Sequence, residues 1–398
     1  MRLRHQLAAY SPISLGGLVA SANAAVSSRK DPREQLRRDV AQVYLAETEQ
    51  TLLTASGTHA LQFALATVRD RLGGDKRVGL PAFCCYDIAT AAVGVDSSVE
   101  LYDIDPATLA PDLDSLERVL SAGVRVVVVA PLFGVPVEWE AIQACAAAHD
   151  AIVIEDAALG HGATYRDRPL GTLGNFSIVS FGRGKGWTGG SGGAFFARNR
   201  GARGSISSDG LVTAGESRNV AALLAQWALG RPAVYGIPRA LPLGLGSTHY
   251  REPDSTRSMT RAAASALLAS REMATREADY RRAAGERILG LLSGEIPAAV
   301  IRVPARGRAG YLRFPLRLSR GMASFGDESE ALAGGISPTY PTTLGELPQI
   351  RLRMGDAEKK WPGATALVRE LVTLPVHSRL RRTESESNIR LVLKTVGK

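Results

Sequence analysis

Residues 179–193 read V-S-F-G-R-G-K-G-W-T-G-G-S-G-G, an apolar, strand-like run that passes into a glycine-dense turn with one lysine, Lys185, at its centre. Small neighbours leave that amine open to close approach by a flat ligand, whereas a lysine in a solvated charge run is flanked by other charges. On this stretch alone two uses stay open: a surface turn whose lysine merely aids solubility, or a lysine that holds a cofactor covalently. A nucleotide-triphosphate cradle, suggested by G-R-G-K-G, is set aside. It lacks the first glycine at the required spacing, and Gly186 rather than Ser or Thr follows the lysine.

Outward from the lysine turn, the chain alternates strand-like and helical segments. Residues 51–55 read as a strand that runs into Ser56-Gly57-Thr58 and then a buried helix, an order that puts free backbone N–H groups at a helix start, where phosphate binds. Further strands are expected at 77–80, 99–102, 124–130, 151–154 and 176–181. The valine run of 124–129, broken only by Arg125, fits a strand buried on both faces. This pattern predicts an α/β domain with a mostly parallel sheet flanked by helices, whose ligands sit beyond the carboxyl ends of the strands. Residues 1–30 read as an extended arm, and Asp31-Pro32 opens a helix with Leu36, Val40 and Val43 at helical spacing. After residue 245 a long helix over 257–292, a strand at 310–318, a turn at 335–338 and a helix over 364–374 predict a smaller α+β domain. The expected division is an arm at 1–30, a large domain at 31–245 and a small domain at 246–398.

Composition narrows the function class. At 398 residues the chain suits two domains, and 45% apolar with 22% charged residues is that of a globular protein. The net charge of +9 serves solubility, and it would also favour anionic partners such as nucleotides, phosphates or nucleic acid. No Lys/Arg run resembles a nucleic-acid tail, and no apolar run reaches the length of a membrane span. Cys84, Cys85 and Cys145 form neither an even disulfide set nor a C-x-x-C pair, which points to the reducing cytoplasm and gives no support for a metal. The tract ending A-N-A at 22–24 is too broken by Tyr10, Ser11, Pro12 and glycines for a secretory signal.

Four strand-end segments should meet in one crevice: Ser56-Gly57-Thr58, the turn at 81–86, Glu155-Asp156-Ala157-Ala158, and Ser180 through Lys185. Together they offer a phosphate cradle, an aromatic ring, a carboxylate and an amine. Pyridoxal 5'-phosphate requires that set: an amine for a Schiff base with its aldehyde, an acid for its ring nitrogen, and donors for its phosphate.

These segments resemble the DegT/DnrJ/EryC1/StrS (sugar) aminotransferase family of fold-type-I pyridoxal-phosphate enzymes. T-A-S-G-T-H-A-L at 54–61 resembles the family's phosphate turn and L-P-A-F-C-C-Y at 80–86 its loop over the ring. D-I-D-P-A-T-L at 103–109, P-L-F-G-V-P at 131–136, I-E-D-A-A-L-G-H-G-A at 154–163 and G-T-L-G-N-F-S-I-V-S-F-G-R-G-K at 171–185 follow, with I-S-P-T-Y-P and T-L-P-V-H-S near the end. The resemblance implies Lys185 and Asp156 as catalytic residues, the first as Schiff-base lysine and proton carrier, the second as partner of the ring nitrogen. It implies cofactor contacts from Ser56, Gly57, Thr58, Tyr86, Ser180 and His161, although Ser56 could equally be a helix cap and His161 and His377 structural. It also implies an amino donor such as glutamate, a keto acceptor of nucleotide-linked sugar type in polysaccharide or secondary-metabolite assembly, and a homodimer with shared sites. A dehydratase or lyase, or a non-catalytic regulatory protein on the same fold, are the alternatives.

The chain departs from the family pattern in places. Leu159 stands where a glutamine is usual, Cys85 aligns with the ring-stacking aromatic so that Tyr86 is the expected substitute, and the N-Y-R-M segment is poorly kept at 255–259. Arg183 and Arg313 are candidates for an anionic substrate group.

Overall fold

The computed structural model describes residues 5–27, 31–198, 211–213, 215–236, 248–356 and 359–396. The expected boundary at 245/246 lies outside them, as do residues 28–30 beside the first boundary.

The N-terminal segment is not simply an extended arm. Helix α1 (Leu15–Val26) is capped by Ser14, whose side chain accepts the Gly17 N–H. The helix escapes a periodicity search because small residues, Gly17 and Ser21, make its buried face. Helix α2 (Pro32–Val43) follows as expected, with Asp31 as N-cap and Leu36 and Val40 fully buried. Strand β1 (Thr51–Thr54) leads into α3 (Gly57–Arg71), β2 (Arg77–Pro81) into α4 (Tyr86–Gly94), and β3 (Ser98–Tyr102) into α5 (Leu113–Ser121). Then come β4 (Val126–Val129), α6 (Trp139–Ala148), β5 (Ile152–Asp156), β6 (Phe176–Ser180) and β7 (Gly193–Ala197).

These seven strands form one sheet in the order β1-β7-β6-β5-β4-β2-β3. Neighbours from β6 to β3 pair in parallel, while β7 runs antiparallel to both β6 and β1. Strand β7 was not expected; its glycine-rich approach reads as turn, yet Ala194, Phe195 and Phe196 are completely buried. Each valine of β4 is buried, as expected of a strand covered on both faces.

Helix α7 (Glu216–Leu229) packs beside the sheet's active end, and α8 (Arg261–Glu295), started by the Thr260 cap, runs 35 residues along α1 and α2. A second core, including Ile288, Leu292, Phe314, Leu316, Val372, Leu374 and Val392, surrounds a three-stranded sheet of Phe314–Arg317, Leu371–Leu374 and Ser337–Pro338. The helix expected over 364–374 ends at Glu370, and Leu371–Leu374 becomes the middle strand of that sheet. Four consecutive buried side chains suit a central strand better than a one-sided helix. Tyr340, Leu344, Ile350, Trp361 and Leu367 join the core of the large sheet instead, so the C-terminal part packs on both.

Candidate active site

The carboxyl ends of β1, β2, β4, β5 and β6 open on one cleft of about 770 Å³. Its walls include Ser56, Gly57, Thr58, Cys85, Leu132, Asp156, Leu159, Ser180 and Lys185, so residues far apart in sequence meet where the strand order places them.

The lysine turn is held rather than loose. The Lys185 N–H donates to Gly182 O (3.3 Å), Thr188 Oγ1 to Phe181 O (3.0 Å) and Trp187 Nε1 to Leu267 O on α8 (3.0 Å). Ser11 donates its hydroxyl to the Lys185 carbonyl from the N-terminal segment. On the other side, Ser191 Oγ reaches Asn219 Oδ1 (2.5 Å) and Asn219 Nδ2 donates to Gly189 O (3.0 Å). Gly190 takes φ +82° against Leu223, a conformation that a larger residue adopts only with strain. The lysine side chain is half-buried.

Opposite it, Asp156 ends β5, is 8% exposed, and among the described residues accepts only the Ala158 N–H (2.9 Å). Burial raises its carboxyl above the ordinary range, against the opposing pull of the Ala158 N–H and the Lys185 charge, and Asp87 adds a smaller push upward. Neighbouring Glu155 faces away and is fully buried. It accepts the N–H groups of Gly171 (2.6 Å), Leu173 (2.7 Å) and Gly174 (3.2 Å), and so ties the loop that leads into β6 to β5.

At the mouth of β1, Ser56 caps α3 by accepting the His59 N–H (3.1 Å), which settles its structural use. The first-turn N–H groups of Gly57 and Thr58 have no intrahelical acceptor. A Cβ on Gly57 would lie 2.7 Å from the Ser180 Cβ, so the glycine lets the helix start and strand end close into a cradle.

Two expected contacts do not reach the cleft. Tyr86 is buried and turned away, its hydroxyl accepting the Thr342 N–H (2.9 Å) and meeting Thr342 Oγ1 (2.5 Å); Cys85 and Tyr340 line the wall instead. His161 packs behind the lysine turn, its ring beside Trp187 (6.1 Å) and Gly186, and its carbonyl accepts from Arg281 (3.2 Å). Burial and the Arg281 charge push its imidazole down to about 3. Trp187 packs, at 2% exposure. His377 is likewise interior, paired through Nε2 with Leu7 O (2.9 Å). Arg183 is exposed on the rim.

The sequence reading missed further cleft residues: Gln62, Arg218, Asn219 and the segment holding Arg251, Asp254 and Arg257. Val220, Leu223 and Trp227 stand at helical spacing and could have announced α7. Arg257 carries its charge to Asp254, and its N–H donates to His59 Nδ1 (3.3 Å).

Residues 27–222 match the model of the DegT/DnrJ/EryC1/StrS aminotransferase family. That stretch, just under half of the chain, is similar to the family. L-glutamine:2-deoxy-scyllo-inosose aminotransferase of Micromonospora echinospora is 36% identical over 141 residues, 35% of this chain and 33% of that protein. L-glutamine:scyllo-inosose aminotransferase of Streptomyces griseus is 26% identical over 181 residues, 46% of this chain and 43% of that one. The chain thus spans about a third to under half of the length of these relatives. The fold extends further than the sequence likeness. The aminotransferase TlmJ from Streptoalloteichus hindustanus superposes with a TM-score of 0.74 at 20% identity, covering 99% of both chains. A DegT DnrJ EryC1 StrS aminotransferase from Brucella abortus gives 0.72 at 20% identity over 96% of each. Both agree with the fold-type-I architecture expected of a DegT/DnrJ/EryC1/StrS member. Within this family's pattern the chain keeps Lys185 and Asp156 facing one cleft, and puts Leu159 and Cys85 into its wall.

Proposed function

We propose that the chain is a pyridoxal-phosphate-dependent aminotransferase that moves an amino group from an amino acid to the keto carbon of a sugar or cyclitol. The observation that carries this reading is the meeting, in one cleft, of Lys185, the buried Asp156 carboxylate and the Gly57–Ser180 cradle. The donor set fits the cofactor. First-turn N–H groups without an intrahelical acceptor suit its phosphate, and a carboxylate suits its ring nitrogen. A half-buried amine lies within electrostatic reach of that carboxylate.

When bound, pyridoxal phosphate supplies an aldehyde for amine exchange and a ring that withdraws electrons from the donor carbon. The chain's own residues do the rest. Gly57, Thr58 and Ser180 would hold the phosphate and so keep the ring from sliding in the cleft. Asp156, buried opposite the lysine, would hold a proton on the ring nitrogen, where it strengthens electron withdrawal. Lys185 would take the proton from the donor carbon and return it to the cofactor's aldehyde carbon on the other side of the nitrogen, a transfer that needs its turn held by Ser11, Trp187 and Asn219. Cys85, Leu159 and Tyr340 narrow the wall and limit water.

The relatives' names give L-glutamine as their donor and an inosose as acceptor. That favours L-glutamine over glutamate and an unactivated cyclic ketone alongside the nucleotide-linked keto sugars that the family resemblance suggests. Free thiols at Cys84, Cys85 and Cys145 suit a cytoplasmic setting, and exposed Leu15, Val19 and Leu224 on α1 and α7 suit a second copy. No helix among the described residues is long and apolar enough to cross a membrane.

The decisive experiment follows the visible spectrum of the purified protein loaded with pyridoxal phosphate. Addition of L-glutamine should bleach the cofactor band, and a cyclic ketone should restore it. Lys185→Ala should leave no cofactor fixed to protein after borohydride. A wild-type protein that binds no cofactor, or a variant that still fixes it, ends this reading.

A further inference from the structure

Two polar groups stand at the cleft without a hydrogen-bond or ion-pair partner among the described residues: Tyr340 in its wall, and Arg313 next to that wall, within electrostatic reach of Tyr340 and Cys85. Tyr340 lines the wall at 6% exposure, and its hydroxyl meets no hydrogen-bond partner among the described residues. Its ring is fixed on three sides: Phe83 edge-on at 5.2 Å, Tyr86 at 6.5 Å and Phe133 stacked at 6.2 Å. A buried phenol held this firmly, yet unpaired and facing a cleft, is a donor kept for something absent.

Arg313 shares the same aromatic. Its guanidinium carbon stands 4.8 Å from the centroid of the Phe133 ring, and no carboxylate lies within ion-pair distance of it among the described residues. Phe133 itself is set by its neighbours. Its carbonyl accepts the Leu312 N–H (2.9 Å) and the Gly134 carbonyl accepts the Gly310 N–H (2.8 Å), so the turn after β4 is tied to the segment that carries Arg313 just before the strand Phe314–Arg317. The groups that act electrostatically on Arg313 are Tyr340 and Cys85, both in the cleft wall, while burial disfavours its charge. Arg183, Arg218 and Arg251 also border the cleft, but they are exposed, where solvent screens them. A half-buried guanidinium without a counter-ion, beside a phenol without a partner, lacks a planar anion with acceptor oxygens.

We propose that Arg313 and Tyr340 form the subsite for the α-carboxylate of the amino donor. The assignment rests on the aminotransferase reading, and deepens it by saying how a site that also accepts a keto sugar or cyclitol recognises an amino acid. The guanidinium supplies charge and a fork of N–H donors, and the Tyr340 hydroxyl donates to the second oxygen. Arg313 is a binding residue here, and Lys185 keeps the proton transfer.

The test compares L-glutamine with L-glutaminol, in which the carboxylate is a hydroxymethyl group, as donors that bleach the loaded protein. Wild type should require far more L-glutaminol than L-glutamine for half-bleaching. In Arg313→Met the half-saturation for L-glutamine should rise roughly thirtyfold or more, so that the ratio between the two donors collapses toward one. Tyr340→Phe should lower that ratio partly, and Arg313→Lys should restore part of it. A structural role would weaken both donors together and leave the ratio intact, and that result overturns the proposal. If Arg313→Met fails to retain cofactor, Tyr340→Phe and Arg313→Lys decide by the same ratio. A wild-type protein that responds to no amino donor overturns the aminotransferase reading and the subsite with it. A responsive wild type with unchanged ratios in the variants overturns the subsite alone.

Discussion

At the residue scale, the site separates what binding needs from what stability prefers. Asp156→Asn keeps an acceptor for the Ala158 N–H but removes a charge that burial disfavours. The thermal midpoint should therefore hold or rise while bleaching by L-glutamine slows roughly 10²-fold or more; a variant that loses both equally would make Asp156 structural. Gly57→Ala should do the reverse, placing a Cβ 2.7 Å from that of Ser180 at a backbone with little freedom to move. Overpacking of this kind costs about 1–3 kcal/mol, and it widens the cradle, so phosphate affinity measured by equilibrium dialysis against pyridoxal phosphate should fall at least in proportion. That Lys185, Asp156, Gly57 and Ser180 meet in one cleft was legible in the sequence, because backbone position at or just after a strand end fixes where each one stands. Tyr86 was not, since the direction of its ring depends on Thr342, 256 residues further along the chain. His161 failed similarly, because a glycine turn tells which way the chain bends and not which face of it meets helix α8.

At the scale of elements, strands set off from their neighbours by turns announced themselves, and those that follow glycines or continue a helix did not. Strand β7 hid behind the run that supplies the lysine turn, and Leu371–Leu374 continued the apolar pattern of the helix before it. Helix α1 hid for a different reason. Its interface with α8 is made by close approach of small residues: Gly17 would carry a Cβ 3.7 Å from Ala266 O, and Ser21 is fully buried. Such a helix depends on its cap more than on an apolar stripe. Ser14→Ala removes the acceptor for the Gly17 N–H and should cost about 1 kcal/mol, read as a lower urea midpoint at unchanged slope. Because Ser11, three residues before the cap, holds the Lys185 carbonyl, the same variant should also broaden the visible band of the bound cofactor. A lower midpoint with an unaltered band would separate α1 from the lysine turn.

At the scale of the whole molecule, the two cores and the N-terminal segment are joined by polar groups that tolerate no charge, and this gives stability a defined pH dependence. The His377 imidazole, 1% exposed, bridges the segment to the small sheet through Leu7 O, and burial with the neighbouring Arg379 and Arg281 charges pushes it down to about 4. His59, 7% exposed at the start of α3, is pushed down to about 4 by burial and by Arg257. In the unfolded chain both would titrate near about 6.5, so between those limits the unfolded state binds more protons than the folded one. Their contribution is therefore complete above pH ~6.5 and is lost as pH falls toward ~4, each costing on the order of 3 kcal/mol across that window. The buried carboxyls of Glu155, Asp156 and Glu277, raised chiefly by burial, act with the opposite sign, because the folded state takes up their protons first. They offset part of the loss between their raised folded values and the ordinary carboxylate range, so the net fall is smaller than the histidines alone would give. The thermal midpoint should be level above pH 7 and drop from pH 6.5 to 5, and His377→Gln, which keeps a donor for Leu7 O, should flatten about a third of that slope, because His161, pushed down to about 3, acts with the same sign as His59 and His377. A midpoint that stays level through pH 5 in the wild type would mean that these histidines accept protons without unfolding, and that the junction between the cores opens to water on its own.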